Sequence, residues 1–232
     1  ALNLIADGDV RLLNGGDITS TVGGLTLTLN SDRDNSGAGA IAVGVGSRLD
    51  SNGADITLRG GSAALGAITD PTADAAGFLS TLSATGARGN GLAAIDLSGA
   101  TLMARGGNVQ LRGVGANGQR GVQIGGGSSI STSGSGSIAI YGAGGTGGGE
   151  GDGIRISESG NAIATQNGEL RLQGLGRGGN DTQGIEIRTP GTTSATTLTT
   201  ANGNLVLRGA SAATGVTDQG VLFDLLGSAS TT

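Results

Sequence analysis

The chain reads as an all-β fold, a right-handed parallel β-helix of triangular section. Three observations predict it. A three-part aliphatic beat recurs along the whole length, one step inside the beat is held at seven residues in five of six copies, and a glycine sits within that step each time. A repeat of this period means a solenoid, whose turns bury a shared core only when stacked.

The clearest copy is GIRI (Gly153 to Ile156), AIAT (Ala162 to Thr165) and GELRLQG (Gly168 to Gly174). The first part supplies Val10/Leu12, Ile41/Val43, Val122/Ile124, Ile154/Ile156, Ile185/Ile187 and Val221/Phe223. Each pair brackets one residue, so both side chains face the same side of a strand. One copy is blurred: Leu92 to Leu97 fits if Ile95 takes an inward place. The middle part supplies Ile18, Leu49, Leu102, Ile130, Ile163 and Leu198. The third supplies Leu2/Leu4, Leu25/Leu27, Ile56/Leu58, Val109/Leu111, Ile138/Ile140, Leu170/Leu172 and Leu205/Leu207.

From the middle residue to the next pair the step is seven residues in five of six copies, and eight from Ile130 to Ile138. Such a step marks a fixed corner. Gly24, Gly53, Gly107, Gly136, Gly168 and Gly203 sit in it, and a corner of this kind is expected to need positive φ. The segment after the third part varies freely in length, so another corner carries the loops. About seven turns are expected, at roughly 4.8 Å each. A β-sandwich also has many short strands, but it does not explain the constant step.

Composition agrees with a single β-solenoid segment over residues 1–232. The chain holds 50 glycines, yet they fall periodically between strands rich in Ile, Leu and Val. Aromatic residues are limited to Phe78, Tyr141 and Phe223, as a narrow aliphatic column would allow. Pro71 and Pro190 both fall in expected loops. There is no Cys, His, Lys or Trp, and all 13 basic residues are Arg. Thiol chemistry and a disulfide framework are excluded. A net charge of -5 argues against a nucleic-acid surface. Neither end reads as a polar cap, which predicts a segment of a longer protein or a unit that associates end to end.

One insertion, residues 61–90, breaks the rhythm. Within it TDPTADAAGFLSTLS predicts a short helix, with Asp70 as cap, Pro71 at the first helical position, and Phe78, Leu79 and Leu82 on one apolar face. Such a helix shields the side of the rod or serves as a lid or partner contact.

Candidate chemistry is sparse. Asp32, Asp34 and Ser36, followed by Gly37, have the order that opens a calcium loop, although the twelfth position is Val43 rather than an acidic ligand. Calcium is therefore the one cofactor the sequence suggests. Arg59, Arg112, Tyr141 and Arg208 occupy one equivalent outward position, and such a row would make a partner face for acidic glycans. The plainer expectation is that the arginines lie along the rod and meet Asp55, Asn108 or Glu169 in weak surface pairs. Asp152 in GEGDGIRI stands alone; a polysaccharide-cleaving enzyme would need further carboxylates on the same face. No catalytic set is legible, and no enzyme is expected.

The succession GIRISESGNAIATQNGELRLQGLGRGGN, echoed by GVQIGGGSSISTSGSGSIAIYGAGG and by GIEIRTPG with TLTTANGNLVLRGASA, resembles the repeats of filamentous-haemagglutinin-like exoproteins. TLTLNSDRDNSGAGAIAV is similar to segments of the same family. The resemblance covers nearly the whole chain, but the family's secretion domain with its Asn-Pro-Asn motifs has no counterpart. It implies export by the two-partner route through an outer-membrane transporter, to the surface or exterior of a Gram-negative bacterium. It implies a part in adhesion or biofilm matrix, meeting a glycan or protein of a host or neighbouring cell. A self-assembling filament or sheath subunit is the alternative.

Overall fold

A computed structural model describes residues 1–89, 93–179, 181–190, 195–213, 215 and 217–226. Its strands stack into three parallel sheets. Sheet I runs through Leu2–Ile5, Leu27–Ser31, Ile56–Gly60, Val109–Val114, Ile138–Ala143, Leu170–Gly176 and Leu205–Ser211. Sheet II stacks Val10–Leu12, Ile41–Val43, Ile95–Ser98, Val122–Gly125, Ile154–Ile156, Gln183–Pro190 and Gln219–Leu226. Sheet III stacks Asp17–Thr19, Arg48–Asp50, Thr101–Met103, Ser129–Ser131, Ala162–Thr165 and Thr197–Thr200. The path visits the sheets in the order II, III, I, giving six complete turns with one further strand at each end. The fold is the expected parallel β-helix.

Register follows the aliphatic beat. Ile56, Val109, Ile138, Leu170 and Leu205 lie one above the next in sheet I. Ile18, Leu49, Leu102, Ile130, Ile163 and Leu198 do so in sheet III. The inward side chains form one continuous cluster, most of them with no exposed surface. Each such burial contributes roughly 1.5–3 kcal/mol. The blurred copy resolves as expected: Ile95 and Leu97 are buried and pair with Ile41 and Val43 on one side and Val122 and Ile124 on the other. Leu92 lies outside the described residues.

Two expectations are corrected. In the first turn the inward pair is Leu27/Leu29, in register with Ile56/Leu58, not Leu25/Leu27. The corner before it is two residues longer than in its neighbours, and the alternation LTLTLN (Leu25 to Asn30) fits either register by itself. The corner glycines also have a different cause. Of the six, only Gly53 has positive φ, at 106°. A Cβ on Gly168 would stand 2.0 Å from the carbonyl oxygen of Gly136, and one on Gly203 2.0 Å from that of Gly168. Glycine is required there because the backbones of successive turns touch, a contact no other residue permits.

The insertion carries the helix α1 (Ala75–Thr85). Its N-cap is Asp74, which accepts the Gly77 N–H at 2.9 Å, not Asp70. Asp70 instead closes the preceding turn, accepting the Thr72 N–H at 2.9 Å and its hydroxyl at 2.7 Å. Pro71 belongs to that turn. Phe78 and Leu82 are fully buried against Val114, Ala143 and Leu175, where the strands of sheet I run past the column; Leu79 packs alongside. Ala87–Arg88 then adds a short strand beside Gly113 and Val114. The helix therefore covers a second, smaller core on the flank of the rod.

Candidate functional site

The outward arginine row is where the insertion is seated. Arg112 is 3% exposed. Its Nη1 donates to Thr85 Oγ1 at 3.1 Å and its Nη2 to the Gly66 carbonyl at 2.8 Å, with the Tyr141 ring 5.7 Å from its guanidinium carbon. Arg59 donates to the carbonyl of Gly61 at 3.3 Å and to that of Ala63. Arg208 pairs with Asp70. Burial pushes the pKa of Arg59 and Arg112 down and that of Tyr141 up. The anticipated partners are engaged elsewhere: Asp55 accepts from Asn108, and Glu169 holds Arg171. The row meets the chain's own insertion because loop carbonyls without backbone partners need donors. Arg112 and Arg59 are thus not an open glycan-binding row.

The calcium reading does not fit the donor set. Asp32 is buried, and its Oδ1 already accepts from Ser36 Oγ at 3.0 Å, Gly37 N at 3.0 Å and Ala38 N at 3.3 Å. Arg88 lies 3.8 Å from Oδ2. Asp34 accepts the Ser36 N–H at 3.1 Å. The three residues close a loop on themselves, and among the described residues no three acidic side chains converge as metal ligands.

Sheet II carries the chemistry that the sequence showed only as Asp152. The residues between its inward pairs point outward in register: Asp96, Gln123, Arg155 and Glu186. Beside them Arg120, from the loop before Val122–Gly125, reaches Glu150 and, at 3.4 Å, Asp152. Arg155 reaches Glu150, lies 3.8 Å from Asp152 and meets Glu186 at 2.9 Å. Asp152 is 1% exposed, and its Oδ1 accepts the Gln183 N–H at 2.9 Å. Burial, reinforced by Glu186, pushes its pKa up to about 6, against the opposing effects of that hydrogen bond and the guanidiniums. Glu186 is also raised by burial. Burial acts on Glu150 in the same direction, but Arg155 and Arg120 outweigh it and hold Glu150 below its usual range.

This network borders a cleft of about 410 Å3 on the flank of the rod. Asp96, Arg120, Gln123, Arg155 and Glu158 line it, with Ser98 and Ser157 beside them. Asp96 is half-buried, and its pKa is raised by burial first and by Glu158 second, with Arg120 opposing them. Sequence reasoning missed Asp96, Glu150, Glu158 and Glu186 as companions of Asp152. The usable signal was the bracketed residue of each first part, read down the copies as one outward row.

Fold and site together define a parallel β-solenoid repeat protein with a polar, charged cleft on one flank. No family model, curated protein or solved structure matches the chain. Among the described residues no helix is long and apolar enough to cross a membrane.

Proposed function

We propose that this chain is a structural and adhesive segment of a secreted surface fibre of the filamentous-haemagglutinin-like kind. The supporting observation is the uninterrupted aliphatic column, which makes the chain a rod whose variable surface is confined to loops and outward rows. Stacked turns hydrogen-bond along the axis and carry the mechanical role, while the flank faces meet partners. In this reading the chain reaches the exterior of a Gram-negative cell through an outer-membrane transporter, and its partner is a glycan or protein on a host or neighbouring cell. Negative-stain electron microscopy of the purified chain, paired with adhesion of chain-coated beads to cells and biofilm, tests it. Short monodisperse rods and bead adhesion are expected. Regular filaments would favour the self-assembling subunit instead, and beads that stay free would refute adhesion.

Cleavage of a polysaccharide is a second reading, favoured by one observation: Asp96 and Glu158 share the cleft, and paired carboxylates are what glycoside hydrolysis requires. Release of reducing ends from a bacterial or plant polysaccharide, lost in Asp96→Asn, would establish it. An unchanged substrate would dismiss it.

A further inference from the structure

The cleft on sheet II presents two carboxylates, Asp96 and Glu158, beside two guanidiniums, Arg120 and Arg155, that make their ion pairs with other acids. Asp96, half-buried, has neither a hydrogen-bond nor an ion-pair partner among the described residues; the ion pairs around it belong to Glu150, Asp152 and Glu186. Among the described residues the Glu158 carboxylate accepts only the Gly126 N–H, at 2.6 Å. The two guanidiniums at hand, Arg120 and Arg155, are already held by the other three acids. Among the described residues five carboxylates therefore share two guanidiniums, and the two that make no ion pair, Asp96 and Glu158, are the two that line the cleft.

Hydrogen-bonding groups surround this pair. Gln123, next to Asp96 in register, donates to Ser157 Oγ at 2.6 Å while its own amide oxygen is left without a donor. Gly125 pairs with Ser98 in the sheet, and its missing side chain keeps the floor open; a Cβ there would stand 3.5 Å from Glu158 Oε2. A ligand suited to this lining carries a positive charge beside several hydroxyls. A bare divalent ion is a poor match, since no three acidic side chains converge among the described residues. A plain polyamine would answer the carboxylates and leave the serine hydroxyls unmatched.

We infer that the cleft binds an oligosaccharide bearing free amino groups, its ammonium between Asp96 and Glu158 and its hydroxyls on Ser98 and Ser157. Successive turns supply Asp96, Gln123 and Arg155 at one strand spacing, roughly 4.8 Å, so a linear saccharide lies along the rod axis. The inference deepens the adhesive reading above and rests on it for the ligand's place in a surface glycan.

Calorimetric titration of the whole chain tests it, with a β-1,4-linked glucosamine tetramer, the same tetramer fully N-acetylated, and tetralysine as probes. The glucosamine tetramer is expected to bind. Acetylation, which removes the charge, should weaken binding by about tenfold or more, as losing a charged hydrogen bond does. Asp96→Asn and Glu158→Gln should each weaken it similarly with unchanged circular dichroism. No binding of the glucosamine tetramer, equal binding of the acetylated one, unaltered affinity in both variants, or a preference for tetralysine would each overturn the inference. Bead adhesion separates the two readings. Equal adhesion of wild-type and Asp96→Asn beads would leave the adhesive role and remove this site. Tetramer binding by a chain whose beads adhere to nothing would do the reverse.

Discussion

Asp152→Asn isolates the cost of an ionised carboxylate under the cleft. Asp152 is 1% exposed and its folded pKa is raised to about 6, against about 3.9 for an unfolded aspartate. Between those two values the folded chain holds a proton that the unfolded chain has released. Its stabilising contribution is therefore complete below pH ~4 and is lost as pH rises through ~6. The gap between the folded and unfolded pKa corresponds to about 3 kcal/mol across that window. Asparagine stays neutral at every pH and keeps an oxygen for the Gln183 N–H, which lies 2.9 Å from Oδ1 in the wild type. Urea unfolding of both proteins, followed by β-sheet circular dichroism from about pH 3.5 to 7.5, gives the difference in stability on both sides of the window. Wild-type stability relative to Asp152→Asn should fall by about 3 kcal/mol as pH rises through the window. A flat difference, or one that grows with pH, would show that Arg120 and Arg155 outweigh burial and that Asp152 is a stabilised ion.

Other perturbations probe the column, the corners and the flank. Ile138→Asp should yield no folded protein, because an unpaired charge would lie at a position with no exposure; normal yield and circular dichroism would contradict the inward register. Gly168→Ala should cost at least about 1–3 kcal/mol through its 2.0 Å clash with the Gly136 carbonyl, read as a lower urea midpoint; an unchanged midpoint would mean the turns can separate. Phe78→Ala should cost about 3–5 kcal/mol within the flank core and speed hydrogen exchange in residues 75–85, leaving sheet III protected; loss of protection everywhere would mean that the two cores unfold as one. Arg112→Met should accelerate proteolysis between residues 62 and 74, since the Gly66 carbonyl loses its donor; an unchanged digestion rate would show that helix packing alone seats the loop.

Much of the fold was legible because aliphatic alternation and a constant step are local properties that every turn repeats. Ile56, Val109, Ile138 and Leu170 stack where their spacing places them. Leu25 was misplaced because LTLTLN satisfies the alternation in two registers, and only pairing with the next turn selects Leu27/Leu29. Asp74 rather than Asp70 caps α1, although both are acidic residues ahead of the same apolar face. The site was less legible than the fold. Its acids are spread over three turns, Asp96 on one, Glu150, Asp152 and Glu158 on another and Glu186 on the next, and several of them are paired by arginines a full turn away in sequence, as Arg120 is from Glu150 and Asp152.

By itself the sequence determined that this chain winds into a parallel solenoid around an aliphatic column. That follows from short-range periodicity, with hydrophobic burial acting on every turn alike. Only the tertiary structure decided that the arginine row anchors the insertion, that the corner glycines answer backbone contact between turns, and that Asp96 and Glu158 share a cleft. Each of these depends on distances between residues of different turns, where sequence separation says nothing about proximity until the register of the stack is known.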